Sequence, residues 1–92
     1  MSKAPDTPHG VSTAHFGRYI MKWGRGADGA NARRATITSQ ELKQADVTCD
    51  ILRQWHDFYL NEARANPRNY AAEARAELMN HCLTLLDCES EE

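Results

Sequence analysis

Arg18, Lys22, Arg25, Arg33 and Arg34 lie within seventeen residues of one another and are interleaved with Phe16, Tyr19 and Trp23. Guanidinium groups grip phosphate oxygens through paired hydrogen bonds, and aromatic faces stack on bases. Arg18, Tyr19, Lys22, Trp23, Arg25, Arg33 and Arg34 are therefore the candidate contact set for an RNA or DNA backbone. A stand-alone nucleic-acid binder is usually basic overall, whereas this chain carries a net charge of −2. The pattern points to a mixed partner, part protein and part nucleic acid. A protein-only contact, or a solvated face over core aromatics, would use the same residues.

Other constellations are weaker. Gly24, Gly26 and Gly29 match G-x-G-x-x-G, but a dinucleotide site needs a preceding strand, a following helix and a crossover to a parallel strand. A chain of this length has no room for that sheet, so the glycines read as a loop. Cys49 and His56, and likewise His81 and Cys88, are seven residues apart, about 10.5 Å along a helix. Zinc holds its ligands at about 2.0–2.3 Å, so neither pair closes on one ion and no metal or cofactor is expected. His81 and Cys82 are adjacent and diverge on a helix. Cys82 falls in an apolar stripe, which makes a poor nucleophile. The carboxylate pairs Asp46/Asp50 and Glu73/Glu77 lie on solvent faces, where general acid–base chemistry lacks the desolvation it needs. Arg75 points into an apolar stripe, between Cys82 and Leu86. It either carries its head out to water along a buried stem or pairs across to Glu62.

The elements that hold these residues are set by charge and periodicity. Residues 1–40 carry six cations against Asp6 and Asp28, a balance near +4, and residues 41–92 carry five cations against eleven carboxylates, near −6. One end attracts polyanions and the other repels them. Ninety-two residues make one domain with a modest core. No apolar run approaches the ~20 residues that span a bilayer, and the first residues lack the apolar region of a secretory signal. Three cysteines without framework spacing read as thiols in a reducing, cytoplasmic setting.

Residues 1–13 read as a flexible arm, 14–88 as the globular domain and 89–92 as an acidic tail. Residues 15–23 and 32–38 alternate, and GRGADGAN between them has turn chemistry. They predict a β-hairpin, with a short helix over 14–23 as the competing reading. Thr38-Ser39-Gln40-Glu41 is a capping box, with Ile37 and Leu42 as its hydrophobic staple. From there a helix runs to about Ala65 with an apolar sector over half its circumference, which predicts contact on two sides and a central position. Asn66-Pro67 breaks it, and a second helix follows from Pro67 or Tyr70 to Asp87. The expected fold is α+β, a β-hairpin packed on a long antiparallel helical hairpin.

A compact chain with this charge layout and no catalytic set resembles the small phage-encoded inhibitors, among them the anti-CRISPR proteins. The resemblance lies in size, charge and lack of chemistry. It implies a non-enzymatic, monomeric, cytoplasmic inhibitor that docks on an RNA-guided Cas complex, its basic hairpin on guide RNA or in the target-DNA path. Two readings from other classes stand beside it. One is an adaptor that binds a protein or dimerises through the helical hairpin. The other is a small enzyme or toxin using His15, His56 or the thiols.

Overall fold

The structure is a computed structural model and describes residues 5–24 and 26–88. Those residues form helices, with no strand among them. The expected α+β fold is thereby corrected to an all-helical one, and the β-hairpin does not exist.

The first predicted strand is helical. Ser12 caps a single turn, α1 (Thr13–His15), by accepting the His15 N–H at 3.1 Å. The chain continues without a break into a π-helix, Phe16–Met21. Hydrogen bonds from i to i+5 bring residues five apart onto one face. Phe16 and Met21 are five apart and both fully buried. The alternation that suggested a strand fails at Tyr19, which is 58% exposed while Met21 and Trp23 are buried. Lys22 ends the π-helix in the left-handed region, at φ 53°.

The second predicted strand and most of its loop form α2 (Ala27–Thr36). Ala30, Ala32, Arg33, Arg34 and Ala35 are strong helix formers. Asp28 in the first turn and the arginines in the last complement the helix dipole. Gly29 lets α2 start directly beneath Trp23, because a Cβ there would lie 2.2 Å from the Trp23 carbonyl oxygen.

The capping box forms as the sequence implies. Glu41 N–H donates to Thr38 Oγ1 at 3.2 Å, and Thr38 N–H donates to Glu41 Oε1 at 3.1 Å. Ile37 and Leu42 are both buried beside it. The helix it starts is short: α3 (Ser39–Gln44). Asp46 turns left-handed at φ 61°, and Val47 N–H donates back to the Leu42 carbonyl at 3.0 Å. This is a Schellman stop with an apolar residue just past the cap. Thr48 then caps α4 (Cys49–Ala65) by accepting the Ile51 N–H. The wide apolar sector was the sum of two helices of different phase.

Asn69 caps α5 (Tyr70–Leu85), and α4 and α5 form the expected helical hairpin. The central helix is α5, which packs on α4 and on α2. Small residues allow that double contact: Ala72, Ala74 and Ala76 are buried together with Leu78, Met79 and Cys82. Cys49 and Cys88 form a disulfide, leaving Cys82 as the free thiol, which corrects the reading of three free thiols. The predicted arm is tied to α4 at Asp6. Trp55 Nε1 donates to the Asp6 carbonyl at 2.8 Å, and Asp6 N–H donates to Gln54 Oε1 at 3.2 Å. The acidic tail at 89–92 lies outside the described residues, as does Arg25. No helix among the described residues is long and apolar enough to cross a membrane.

Candidate binding groove

The π-helix and α4 enclose a groove of about 710 Å³. Its floor is aromatic: Trp23, Trp55, Phe58 and Tyr59. Arg18 on the π-helix and Lys22, the residue that ends it, stand at its edge. The floor belongs to a continuous ring cluster with Phe16, in which neighbouring centroids lie between 5.1 and 6.0 Å apart. Edge-to-face and offset contacts of this kind fix each ring against its neighbours. Gly17 keeps the cluster tight, since a Cβ there would come within 2.8 Å of the Trp23 indole nitrogen.

Arg75 completes the cluster from α5. Its guanidinium carbon sits 5.1 Å from the Trp23 ring centroid and 5.4 Å from that of Tyr59. Nη2 donates to the Gly24 carbonyl at 2.7 Å, and Nη1 donates to the Tyr59 hydroxyl at 3.5 Å. Cation–π contact of this kind stabilises by about 0.5–2 kcal/mol, more where water is excluded. Arg75 thus ties α5 to the turn that carries Trp23. Its stem runs through the apolar stripe and its head lies part-exposed on the ring cluster. Burial pushes the Tyr59 phenol above its ordinary value, against an opposing pull from Arg75.

Of the residues expected at a contact site, the fold gathers Arg18, Lys22 and Trp23 at the groove and places Tyr19, Arg33 and Arg34 elsewhere, while Arg25 lies outside the described residues. Tyr19 faces away and pairs with the His15 ring at a centroid distance of 4.9 Å. Arg33 is 8% exposed and works inside the protein. Its Nε donates to the Met21 carbonyl at 3.1 Å. Its Nη2 donates to the Ile20 carbonyl at 3.1 Å and to Glu41 Oε2 at 3.0 Å. Those carbonyls are left open where the π-helix ends, so Arg33 acts as its C-terminal cap. Arg34 leaves the groove altogether and bridges to Glu77 on α5 at 3.1 Å. A strand would put these two arginines on opposite faces of a hairpin; on α2 they diverge by 100°, one into the core and one toward α5.

Sequence reasoning missed Phe58, Tyr59, Trp55 and Arg75 as parts of the site. The signal was present, because three aromatics on α4 and an arginine in the apolar stripe of α5 are more than a small core needs. Their convergence depends on a helix crossing that the sequence does not state.

The histidines and thiols make no nucleophilic pair. His56 Nδ1 meets Asp57 at 3.1 Å, and Cys82 is fully buried, its thiol pushed up to about 12 by desolvation. Among the described residues no three His, Cys, Asp or Glu side chains converge as metal ligands. Gly24, Gly26 and Gly29 provide a left-handed turn, a helix cap and a close approach, not a phosphate cradle on a βαβ unit.

A family described as a domain of unknown function, DUF4951, matches residues 1–86. The chain belongs to the DUF4951 family. A solved structure similar to this DUF4951 chain is the NMR structure of a protein from Acinetobacter baumannii. That protein is 32% identical to it, with a TM-score of 0.79 over 92% of this chain and 82% of the other. No curated protein is significantly similar to the chain.

Proposed function

We propose that this chain is a non-enzymatic binding protein that takes an acidic, apolar segment of a protein partner into the groove between the π-helix and α4. The observation that carries the reading is the pairing of Arg18 and Lys22 with an aromatic floor in one concavity. Apolar floors with few charged groups at the edge are the usual chemistry of recognition sites. Arg18 and Lys22 supply orientation and steering, and Phe58 and Tyr59, half-buried, supply apolar contact area.

Docking on a nucleoprotein, with blocking of target DNA on an RNA-guided complex as its sharpest form, rests on the same two cations. It draws less support from the geometry. Arg33 and Arg34 are engaged within the protein, and Trp23 and Trp55 are 7% and 2% exposed, so their faces offer no stacking platform.

A displayed peptide library, selected on the folded protein, tests the choice. Binders should be enriched in Asp or Glu beside apolar residues and should perturb the tryptophan fluorescence. Their affinity should fall with salt and fall at least tenfold in the double variant Arg18→Glu/Lys22→Glu. Single-stranded RNA or DNA oligonucleotides serve as the second arm. If they bind with a salt slope that the double variant reduces, the nucleoprotein reading replaces this one.

A further inference from the structure

The Cys49–Cys88 bond closes the open end of the α4–α5 hairpin, opposite the Asn66–Asn69 turn. It joins the first residue of α4 to the third residue past α5, with 5.9 Å between Cα atoms and 39 residues of sequence separation. After Leu85 the chain makes a left-handed stop. Asp87 N–H donates to the Thr84 carbonyl at 3.0 Å, and Cys88 N–H donates to the Leu83 carbonyl at 2.9 Å. Asp87 sits at φ 57°, a position that glycine usually fills. The like stop at Asp46 is sealed by the buried Val47 one residue later, whereas the residue after Asp87 is the part-exposed Cys88, and there the covalent tie takes the place of the buried side chain. Leu85 and Leu86 pack partly buried against the core just before it. Both bonded cysteines are part-exposed, while Cys82 is sealed in the core. A buried thiol held in its neutral form does not enter exchange, so the pairing is unique.

We propose that the Cys49–Cys88 disulfide is a thiol-responsive latch on the end of the helical hairpin. It is closed in an oxidising compartment and opened by small-molecule thiols. The exchange balances in two steps. A reagent thiolate attacks one sulfur, forms a mixed disulfide and releases the other cysteine as a thiolate, which takes up a proton. A second reagent thiol attacks the mixed disulfide, leaving both cysteines as thiols and the reagent as its own disulfide. Two electrons pass from the reagent to the protein. With the tie gone, the left-handed turn at Asp87 unwinds, and Leu85 and Leu86 lose their anchor. A loop of this size removed from the cross-linked state lowers the melting midpoint on the order of 15–30 °C.

Reduced and oxidised glutathione are the probes. Protein purified without reductant should show one free thiol per chain in denaturant. Reduced glutathione should lower the melting midpoint by the amount above and remove hydrogen-exchange protection at Leu86, Asp87 and Cys88. Oxidised glutathione should restore both, and complete unfolding of the reduced chain that reverses on oxidation supports the latch equally. Cys82→Ser should keep the whole response, and Cys49→Ser/Cys88→Ser should melt like the reduced wild type and ignore either reagent. Three free thiols in the unreduced protein would overturn the proposal. So would a reduced protein that melts within a few degrees of the oxidised one with its amides still protected, or a Cys82→Ser variant that no longer responds.

Discussion

Arg33 and Arg34 are neighbours in sequence with opposite fates. Arg33 is buried, and its guanidinium holds two main-chain carbonyls and one carboxylate at about hydrogen-bond length. Arg34 makes a bridge whose two side chains are 42% and 52% exposed. Removing a buried charge partner leaves desolvated acceptors behind, whereas an exposed pair is screened and held at an entropic cost. Arg33→Ala should therefore cost about 2–4 kcal/mol of stability, and Arg34→Ala under about 1 kcal/mol. Urea unfolding of the two variants measures the contrast; equal midpoints would remove Arg33 from the core. The Arg33 partner adds a pH dependence. Hydrogen bonding from Arg33 holds the Glu41 carboxyl below its ordinary 4.5. A depressed carboxyl contributes its full stabilisation above the unfolded value and loses it as pH falls through the folded one. The wild-type midpoint should thus drop below about pH 4.5 more steeply than that of Glu41→Gln, which no longer titrates there. Parallel acid limbs in a series of melts would show that the pair is not coupled.

At the scale of elements, the decisive events are stops rather than starts. Thr38 begins a helix that the sequence advertises, but Asp46 ends it after two turns by going left-handed. Val47 seals that stop in the core. A β-branched residue cannot take this conformation cheaply, so Asp46→Val should cost about 1–2 kcal/mol, and Asp46→Gly should leave stability within about 0.5 kcal/mol. If both variants unfold with wild-type midpoints, the helix runs through and α3 and α4 are one element. The π-helix is the other unexpected element. Its wider turn puts Phe16 and Met21 inward together, and Arg33 caps its end. The strand pattern rests on Tyr19, Met21 and Trp23 at a spacing of two, whereas the burial of Phe16 together with Met21, an odd number of residues apart, is compatible only with a helical turn.

The whole molecule is organised around its aromatic cluster, which joins the π-helix, the Trp23 turn and α4, with Arg75 fastening α5 to it. Trp55 is the shared member. It contacts Phe16, Trp23, Phe58 and Tyr59, and it holds the Asp6 carbonyl through its indole N–H. Trp55→Ala should cost about 3–5 kcal/mol, a large part of what a domain of this size has. It should also release the segment around Asp6, seen as faster proteolysis there. A thermal midpoint within a few degrees of wild type would show that the cluster is peripheral.

Local rules with a single physical cause were legible in the sequence itself: the Thr38 capping box, the break at Asn66-Pro67 and the helical hairpin on its two sides. Each depends on residues within one turn of one another, so no distant contact can overrule it easily. The buried Leu52, Trp55 and Cys82 were legible as well, because a stripe of apolar residues on a helix must face something. Tertiary structure decided the rest. Residues 15–23 carry weak and mixed propensities, and packing of Phe16, Met21 and Trp23 into the core selects helix over strand there, while the helix formers of α2 are fixed in place by packing beneath Trp23 and against α5. That choice sends Arg33 inward and Arg34 to Glu77, and leaves Arg18 and Lys22 beside rings contributed from α4. It also brings Cys49 within bonding distance of Cys88, a pairing that spacing along the chain cannot announce because it is set by where two helices begin and end.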